Sequence, residues 1–453
     1  PLSGTMSIGP MVGLMFPGPY RLPQLSFDNK AVYTNTCGRC SYRGPWMFET
    51  VAREMMVDIV ARRMGIDPLE LRRRNVLLPT DLPHLSASGM TVDQVTPAAT
   101  LDRAAAAIGY EEFRREQAQA RTQGRHFGVG ISLCIEPTAA PAGFLSHEAA
   151  MIRIDKTGTV TVAAGTGSQG QSVETTMSQI VAETLGVDID DVVYLHNDTA
   201  ISPSGGGAGA SRVGVLGGGA CHLAATELRA KVLEIAAHLL EAAPEDLDID
   251  AGVISVRGTP TLSVRLADVA TVAYVQPARL PPGMEPGLEV ARRYRVTVPT
   301  LANAAHICTC EVDVKTGKVT LLRYVVSEDC GVMINPMVVE GQIAGGVVQG
   351  IGGVLYEHVR YDGNGTPLSS TFMDYLLPTA ADVPLVEYDH VETPSERIGG
   401  YKGVGEGGAL CSPAAVVNAV ADALSPFGVT ITSQPLGPSQ ILELIERAVD
   451  STR

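Results

Sequence analysis

Residues 46–64, WMFETVAREMMVDIVARRM, set apolar side chains three and four apart and stop at Gly65, with Pro68 just beyond. That spacing predicts an amphipathic helix closed by its own stop signals, with Met55, Met56 and Met64 as ordinary core filling. A second short helix is expected from Pro68 through LELRRRN, whose three arginines form either a solvated face or an anion grip. A further helical piece covers residues 99–121. The period then changes: AAMIRIDKTGTVTVAAG (149–165) alternates apolar and polar positions about Lys156, Thr157 and Gly158, the pattern of a hairpin. A similar run with the same K-T-G turn returns in EVDVKTGKVTLLRY (311–324).

Two such hairpins, each followed by a glycine-rich segment and a helical pattern, predict a duplicated α+β unit, although convergent turn chemistry would give the same match. Helical stretches are expected at 172–185 and 211–242, then strands to residue 300 and a helix over 337–350. A last helix is expected to begin at Ser412 and Pro413, a capping residue followed by one suited to a first turn. The polar run REQAQARTQGR marks a boundary, giving units at 1–125 and 126–453.

The chain has 453 residues and 45% apolar content, enough for two or three ordinary domains. Its formal charge of −15 comes without any basic tract of five residues, which argues against nucleic acid. No charge-free apolar run reaches the roughly 18 to 20 residues that span a bilayer, so no membrane span is expected. The chain starts with Pro in a loop-like segment, so an upstream portion is expected to be missing. Eight cysteines with one C-x-x-C fit a reduced, cytoplasmic setting, and Cys37 and Cys40 form half a zinc site with no second half.

Four glycine-bearing segments recur at element edges: GTGSQGQSVET (165–175), SGGGAGASR (204–212), VEGQIAGGVVQGIGG (339–353) and GVGEGGALCSPAAV within GGYKGVGEGGAL and its continuation. Amides freed of side chains at a helix start favour anions, because dipole and unsatisfied donors point the same way. Gln169, Gln171, Gln342 and Gln349 lie among them and can donate and accept, which suits a flat heterocycle with amide-like edges. None of the four fits a P-loop or a dinucleotide fingerprint. Glu406, flanked by glycines before a helix, can reach a ligand unobstructed and be tuned as a general base; the alternative is a surface loop residue. His196 and His306 read as satisfied histidines, and Asp329 and Asn335 as turn formers.

The segments YKGVGEGGALCSPAAVVNAVADAL and HICTCEVDVKTGKVTLLRYVVSEDCGVMINPMVVEGQIAGGVVQGIGGVLYEH resemble the large, molybdenum-binding subunit of the xanthine oxidase, aldehyde oxidase and carbon monoxide dehydrogenase family. GTGSQGQSVETTMSQIVAETLG and HNDTAISPSGGGAGASR resemble its earlier cofactor loops, in order, and the resemblance covers residues 30–440. It implies an α+β molybdopterin-binding fold: residues 1–125 as the C-terminal part of a first cofactor-binding domain, 126–453 as the second. By position, Glu406 would be the base acting on a molybdenum-bound hydroxyl during oxidation of an aldehyde or N-heterocycle. Gln171, Gly170, Gln349 and Gly405 would contact the cofactor, with Ala210, Ser211 and Arg212 in the loop passing beside it. No side chain would ligate the metal directly.

The implied cofactor is molybdenum-molybdopterin in its cytosine dinucleotide form, with 2Fe-2S and FAD on partner chains or domains, an upstream half of the subunit, and a dimer of the complex. TNTCGRCSYRGPWMFE (34–49) resembles the loop facing the substrate, with Tyr42, Arg43 and Gly44 in the pocket. In that register Gly44 stands where carbon monoxide enzymes carry their copper-binding cysteine; a shifted register makes Cys40 the copper ligand instead. The first register keeps the spacing from TN to RG. Ser172 departs from the family's glycine, and GPW from its glycine-rich run. A non-catalytic assembly half is the alternative, and it predicts Glu406 exposed and far from the glycine loops.

Overall fold

A computed structural model of the chain describes residues 8–30, 32 and 42–451. Cys37 and Cys40, and with them the half zinc site and the shifted copper register, lie outside the described residues. The chain opens with helices α1 (Ile8–Met15), α2 (Met47–Met64) and α3 (Pro68–Asn75), the short strands β1 (His84–Leu85) and β2 (Thr91–Val92), and helices α4 (Pro97–Ile108) and α5 (Tyr110–Thr122). Next come β3 (His126–Ala139), β4 (His147–Ile154), β5 (Val160–Ala164), α6 (Val173–Leu185), β6 (Val192–Leu195) and α7 (Gly218–Leu240). A small sheet of β7 (Leu247–Asp250), β8 (Val253–Val256) and β9 (Thr259–Arg265) precedes α8 (Leu266–Val275) and β10 (Glu289–Arg295). The remainder is β11 (Thr300–Asp313), β12 (Lys318–Asp329), α9 (Pro336–Leu355), β13 (Val386–His390), α10 (Gly407–Ala423) and α11 (Pro438–Ser451).

Two four-stranded sheets carry the architecture, in the orders β10-β4-β5-β6 and β13-β12-β11-β3. In each, a hairpin closes at its lysine-threonine-glycine turn, with Ile154 opposite Val160 and Asp313 opposite Lys318. In each, a helix (α6 or α9) then leads to a parallel edge strand (β6 or β13). An antiparallel strand, β10 or β3, flanks the other side. The duplicated hairpin and helix unit expected from the sequence is therefore present, in an α+β fold. The first sheet packs with α6, α7 and α8 around Ile152, Val162, Val181 and Leu228. The second is covered by α9 and α10 on one side and by α4 and α5 on the other.

Several expectations need correction. Helix α2 ends at Gly65 as read, with Gly65 at φ 65°, but its buried face is the polar one: Glu49, Arg53, Glu54 and Asp58 point inward. Met56 and Met64 are exposed, and of the three methionines Met55 alone is buried. The cause is the edge of β3, whose outward carbonyls need donors. Arg53 Nη2 donates to Leu133 O at 2.9 Å and Arg72 Nη2 to Ile131 O at 3.0 Å, while Glu54 and Asp58 neutralise both guanidiniums. Of the three arginines of α3, Arg72 is therefore an interior anion grip, and Arg73 and Arg74 are exposed.

The helical pattern at 99–121 divides into α4 and α5 at Gly109, which sits at φ 70°. The 211–242 pattern opens with one π-type turn, Val213–Gly217, before α7. Most consequential is α10, which begins at Gly407, not Ser412, and carries Pro413 inside it. Because every residue of α10 is buried, packing holds the first turns together around the proline. One described helix, α9, is long and apolar enough to cross a membrane by length and composition, but half of that span is buried in the core against α10.

Candidate functional site

The loop before α10 is fastened from below. Lys402 is fully buried; its Nζ donates to Asp329 Oδ2 at 2.9 Å and to Gln94 O at 2.7 Å. Asp329 does more than shape a turn: it also accepts from Thr96 Oγ1, Gly331 N and Thr393 N. Asn335 caps α9 through Val338 N. Four residues past Lys402, Glu406 takes the N-cap position of α10. Gly403, at φ 87°, lets the loop lie directly on Ser211, whose carbonyl a Cβ there would meet at 2.4 Å.

Two loops meet at Glu406. Ala210 N donates to its Oε1 at 2.7 Å, and the Glu406 amide donates to Ser211 Oγ at 2.9 Å. Ala210 and Ser211 both adopt left-handed φ values, 48° and 52°, a costly conformation for residues with a Cβ and one that turns the Ala210 amide toward the carboxylate. Glu406 is 9% exposed, and its Oε2 has no partner among the described residues. Burial raises its pKa, against the pull of the Ala210 amide, Arg43 and the Gly44 amide.

Arg43 closes the opposite wall. Its Nε and Nη2 donate to Gly405 O at 2.8 and 2.6 Å, and Nη2 also reaches Gln342 O at 2.7 Å. Gly44 is buried at φ 67°, where a Cβ would stand 2.8 Å from Leu410 Cδ2. Tyr42, its neighbour, is 88% exposed at the outer edge. On α9, Gly345 faces Arg43 Nη1, and Gln349 follows one turn later on the same face as Gln342 and Gly345.

The loop carrying Gly170 and Gln171 joins this group through its neighbour: a Cβ on Gly165 would lie 3.0 Å from Gly205 Cα, in the segment that leads to Ala210. Gln171 Nε2 donates to Gly167 O, and its Oε1 accepts from Gln169 N, so the side chain braces its own turn. Ser172 keeps φ at 57°, the conformation that a glycine would supply. Arg212 turns inward, onto Glu148 Oε2, Gly207 O and His147 O, and its side chain is fully buried there. His196 is satisfied by Ser168 N and Glu174, whereas His306 meets the Tyr324 hydroxyl through Nδ1 only and its Nε2 is buried without a partner among the described residues, with burial holding its imidazole neutral down to about 3.

Sequence reasoning missed two groups. Glu136 on β3 and Glu328 on β12 are each 1% exposed and lie close enough to Arg43 to act on it electrostatically, as Glu406 does. Alternation along β3 puts Glu136 on the face opposite Ile131, Leu133 and Ile135 and so reads it as outward; the pairing register and the cover of α10 bring it inside beside Glu328. Two surface depressions of about 340 and 300 Å3, lined respectively by Leu69, Asp102 and Tyr110 and by Pro10, Leu14 and Phe27, share no residue with this group. Concavity alone does not find it.

Comparison with known proteins gives a consistent answer. Two family models, each described as a molybdopterin cofactor-binding domain, match residues 3–76 and 103–384. The nicotine 6-hydroxylase large subunit of Paenarthrobacter nicotinovorans is 36% identical over 443 residues, covering 96% of this chain and 54% of that subunit. The carbon monoxide dehydrogenase large chain of Afipia carboxidovorans is 35% identical over 428 residues, 89% of this chain and 52% of that one. The crystal structure of quinoline 2-oxidoreductase from Pseudomonas putida 86 superposes with a TM-score of 0.90 at 40% identity, covering 97% of this chain and 57% of that chain. The chain spans about half the length of the curated relatives it matches.

Proposed function

The chain belongs to the molybdopterin cofactor-binding domain family of the xanthine oxidase type, and from that membership we propose that it forms part of a molybdenum hydroxylase in which Glu406 is the general base. The substrate class is an N-heterocycle or an aldehyde, oxidised with oxygen derived from water. One observation carries this reading: Glu406 has one oxygen clamped by the Ala210 amide while the other is buried and unpartnered, facing Arg43 and the glycine loops. A non-catalytic half requires Glu406 to be exposed and remote from those loops, and it is neither.

The residues fit a pterin cofactor. Three glycine segments abut one another, Gly165 against Gly205 and Gly403 against Ser211, and Gln171 and Gln349 supply amide edges for a heterocycle. In this reading Gly170, Gln171, Gln349, Gly405 and the backbone at Ala210, Ser211 and Arg212 hold the cofactor in its cytosine dinucleotide form. When bound, the cofactor supplies oxygen transfer and accepts the electron pair. Glu406 takes up a proton at Oε2, its raised pKa making it a stronger base than an exposed carboxylate. Arg43, anchored on Gly405 O, fixes the loop so that the free oxygen keeps one direction.

A heterocycle or aldehyde is favoured over carbon monoxide by Gly44. In the register that places it at the copper cysteine, a larger side chain would have to take the left-handed backbone at φ 67° and displace Leu410 Cδ2, which its Cβ would meet at 2.8 Å. Two of the three relatives named above act on N-heterocycles by name, nicotine and quinoline, and the third on carbon monoxide. Tyr42, Arg43 and Gly44 then border the substrate. Partners in this proposal are the upstream half of the subunit, iron-sulfur and flavin subunits carrying 2Fe-2S and FAD, and a second copy of the complex. Residues 1–125 would complete one cofactor-binding domain and 126–453 the other.

The test is metal and pterin analysis of the purified complex beside a Glu406→Gln variant. Molybdenum retained in both, with substrate oxidation reduced by roughly 10²-fold or more in the variant, is expected for a lost general base. Undiminished oxidation in the variant, or a complete complex without molybdenum, overturns the reading.

A further inference from the structure

Glu136 and Glu328 have a definite place under the base. Ala302 of β11 pairs with Glu136 and Ala304 with Glu328, so the two carboxyls flank the methyl groups of Ala302 and Ala304. Gly407, next to Glu406, is the residue above: a Cβ there would lie 2.5 Å from Glu328 Oε1. Both oxygens of Glu136, Oε2 of Glu328 and Oε2 of Glu406 have no hydrogen-bond partner among the described residues.

The groups facing Glu136 are known from each packed element. They are Glu406 and Ser211 from the two loops, Glu328 from β12, Arg43 from the 42–44 segment, Cys134 from its own strand and Cys411 from α10. Arg43 is the cation of this set, and its Nε and Nη2 donate to Gly405 O and Gln342. Lys402, below, is occupied by Asp329 and Gln94. Three ionised carboxylates against one guanidinium would leave two uncompensated negative charges in a buried space, which costs far more than leaving a proton bound.

We propose that Glu136 and Glu406 share one proton as a coupled pair, with Glu136 a positioning residue that holds the proton while Glu406 is ionised and releases it when Glu406 takes one up. The bookkeeping closes: an O–H bond forms at Glu406 Oε2, one breaks at Glu136 with the proton passing to water, and the pair again holds one proton. Arg43 acts on both carboxyls, and Glu406 is the member ionised first because the Ala210 amide donates to it at 2.7 Å, whereas Glu136 is deeper and has only the Ser211 hydroxyl facing it. Burial and then the Glu406 carboxylate push Glu136 well above the ordinary carboxyl range. Its use in turnover rests on the proposed function; the shared proton does not.

The experiment is infrared difference titration of the carboxylic acid C=O stretch in the purified complex, wild type against Glu136→Gln, Glu136→Asp, Glu328→Gln and Glu406→Gln. Glu49 and Glu328 also hold protons at neutral pH, so the wild type should show their carboxylic acid bands and one further component, which is absent from Glu136→Gln and present in Glu136→Asp and Glu328→Gln. In Glu406→Gln it should deprotonate at least about one pH unit lower, a tenfold change in proton affinity, because the neighbouring charge is gone. The pH profile of kcat/KM should lose its alkaline limb in Glu136→Gln and keep it in Glu136→Asp. A Glu136→Gln spectrum that has lost no component, or a Glu136 component that titrates at the same pH in wild type and Glu406→Gln, sinks the pair. If Glu136→Gln fails to fold, the Glu406→Gln titration decides alone. A complex inert toward heterocycles and aldehydes whose band behaves as expected would refute the proposed function and leave the pair standing.

Discussion

Lys402→Met tests whether the buried ion pair under the Glu406 loop holds that loop in place. The substitution keeps the aliphatic stem and removes the charge, leaving Asp329 with three of its four donors, at 2.7, 3.1 and 3.3 Å, and Gln94 O without the lysine. Removing one partner of a buried pair costs roughly 3–5 kcal/mol, and the surviving donors to Asp329 place this case near 3 kcal/mol. The reporters are local: Lys402 N bonds Cys330 O at 2.9 Å and Val332 N bonds Gly400 O at 3.1 Å, tying the loop to the end of β12. Hydrogen exchange at those amides should accelerate roughly 10²-fold, since about 1.4 kcal/mol is a factor of ten in the opening equilibrium. Asp329→Asn should do the same, and the double variant should cost less than the sum by more than about 1 kcal/mol. Acceleration under roughly tenfold in Lys402→Met would put the pair in the class of exposed ion pairs and refute the reasoning.

Three further outcomes are expected. Gly130→Ala puts a Cβ 2.0 Å from Ala415 O of α10 and should lower stability by about 1–3 kcal/mol or more in urea unfolding, whereas Gly353→Ala, with nothing within 4 Å, should raise it by about 0.5–1 kcal/mol. Burial lifts both Glu49 and Glu328 to about 8 in the folded chain, so the folded state binds more protons than the unfolded one above pH 4.5. Stability should therefore fall as pH rises from 4.5 to 8, by at most about 1.4 kcal/mol per pH unit per group, and Glu49→Gln should flatten the slope in a denaturation series. Arg43→Lys loses the forked contact with Gly405 O and Gln342 O, so substrate oxidation by the complex should drop roughly tenfold or more with molybdenum content unchanged; an unaltered rate would release Arg43 from the site.

The sequence alone determined the local elements: α2 and its glycine stop, both hairpins, the duplicated unit, and glycine loops that mark a cofactor fold. It did so because period, turn chemistry and caps are decided within a few residues. Glu406, Arg43 and Ala210 were also legible, but through motif resemblance, not through any spacing that brings positions 43, 210 and 406 together. What tertiary structure decided were the matters of register and burial. Alternation along β3 reads Glu136 as outward, and the β3-β11-β12 register with its cover of α10 is what sets Glu136 and Glu328 beside one another inside. Helix α10 starts at Gly407 in spite of Pro413, because complete burial outweighs the lost backbone bond, and this puts Glu406 at the helix end. Met56 and Met64 face outward because the edge of β3 claims the polar face of α2. A partner hundreds of residues away can outbid a local preference worth a fraction of a kcal/mol per residue, and that partner is visible only once the chain is folded.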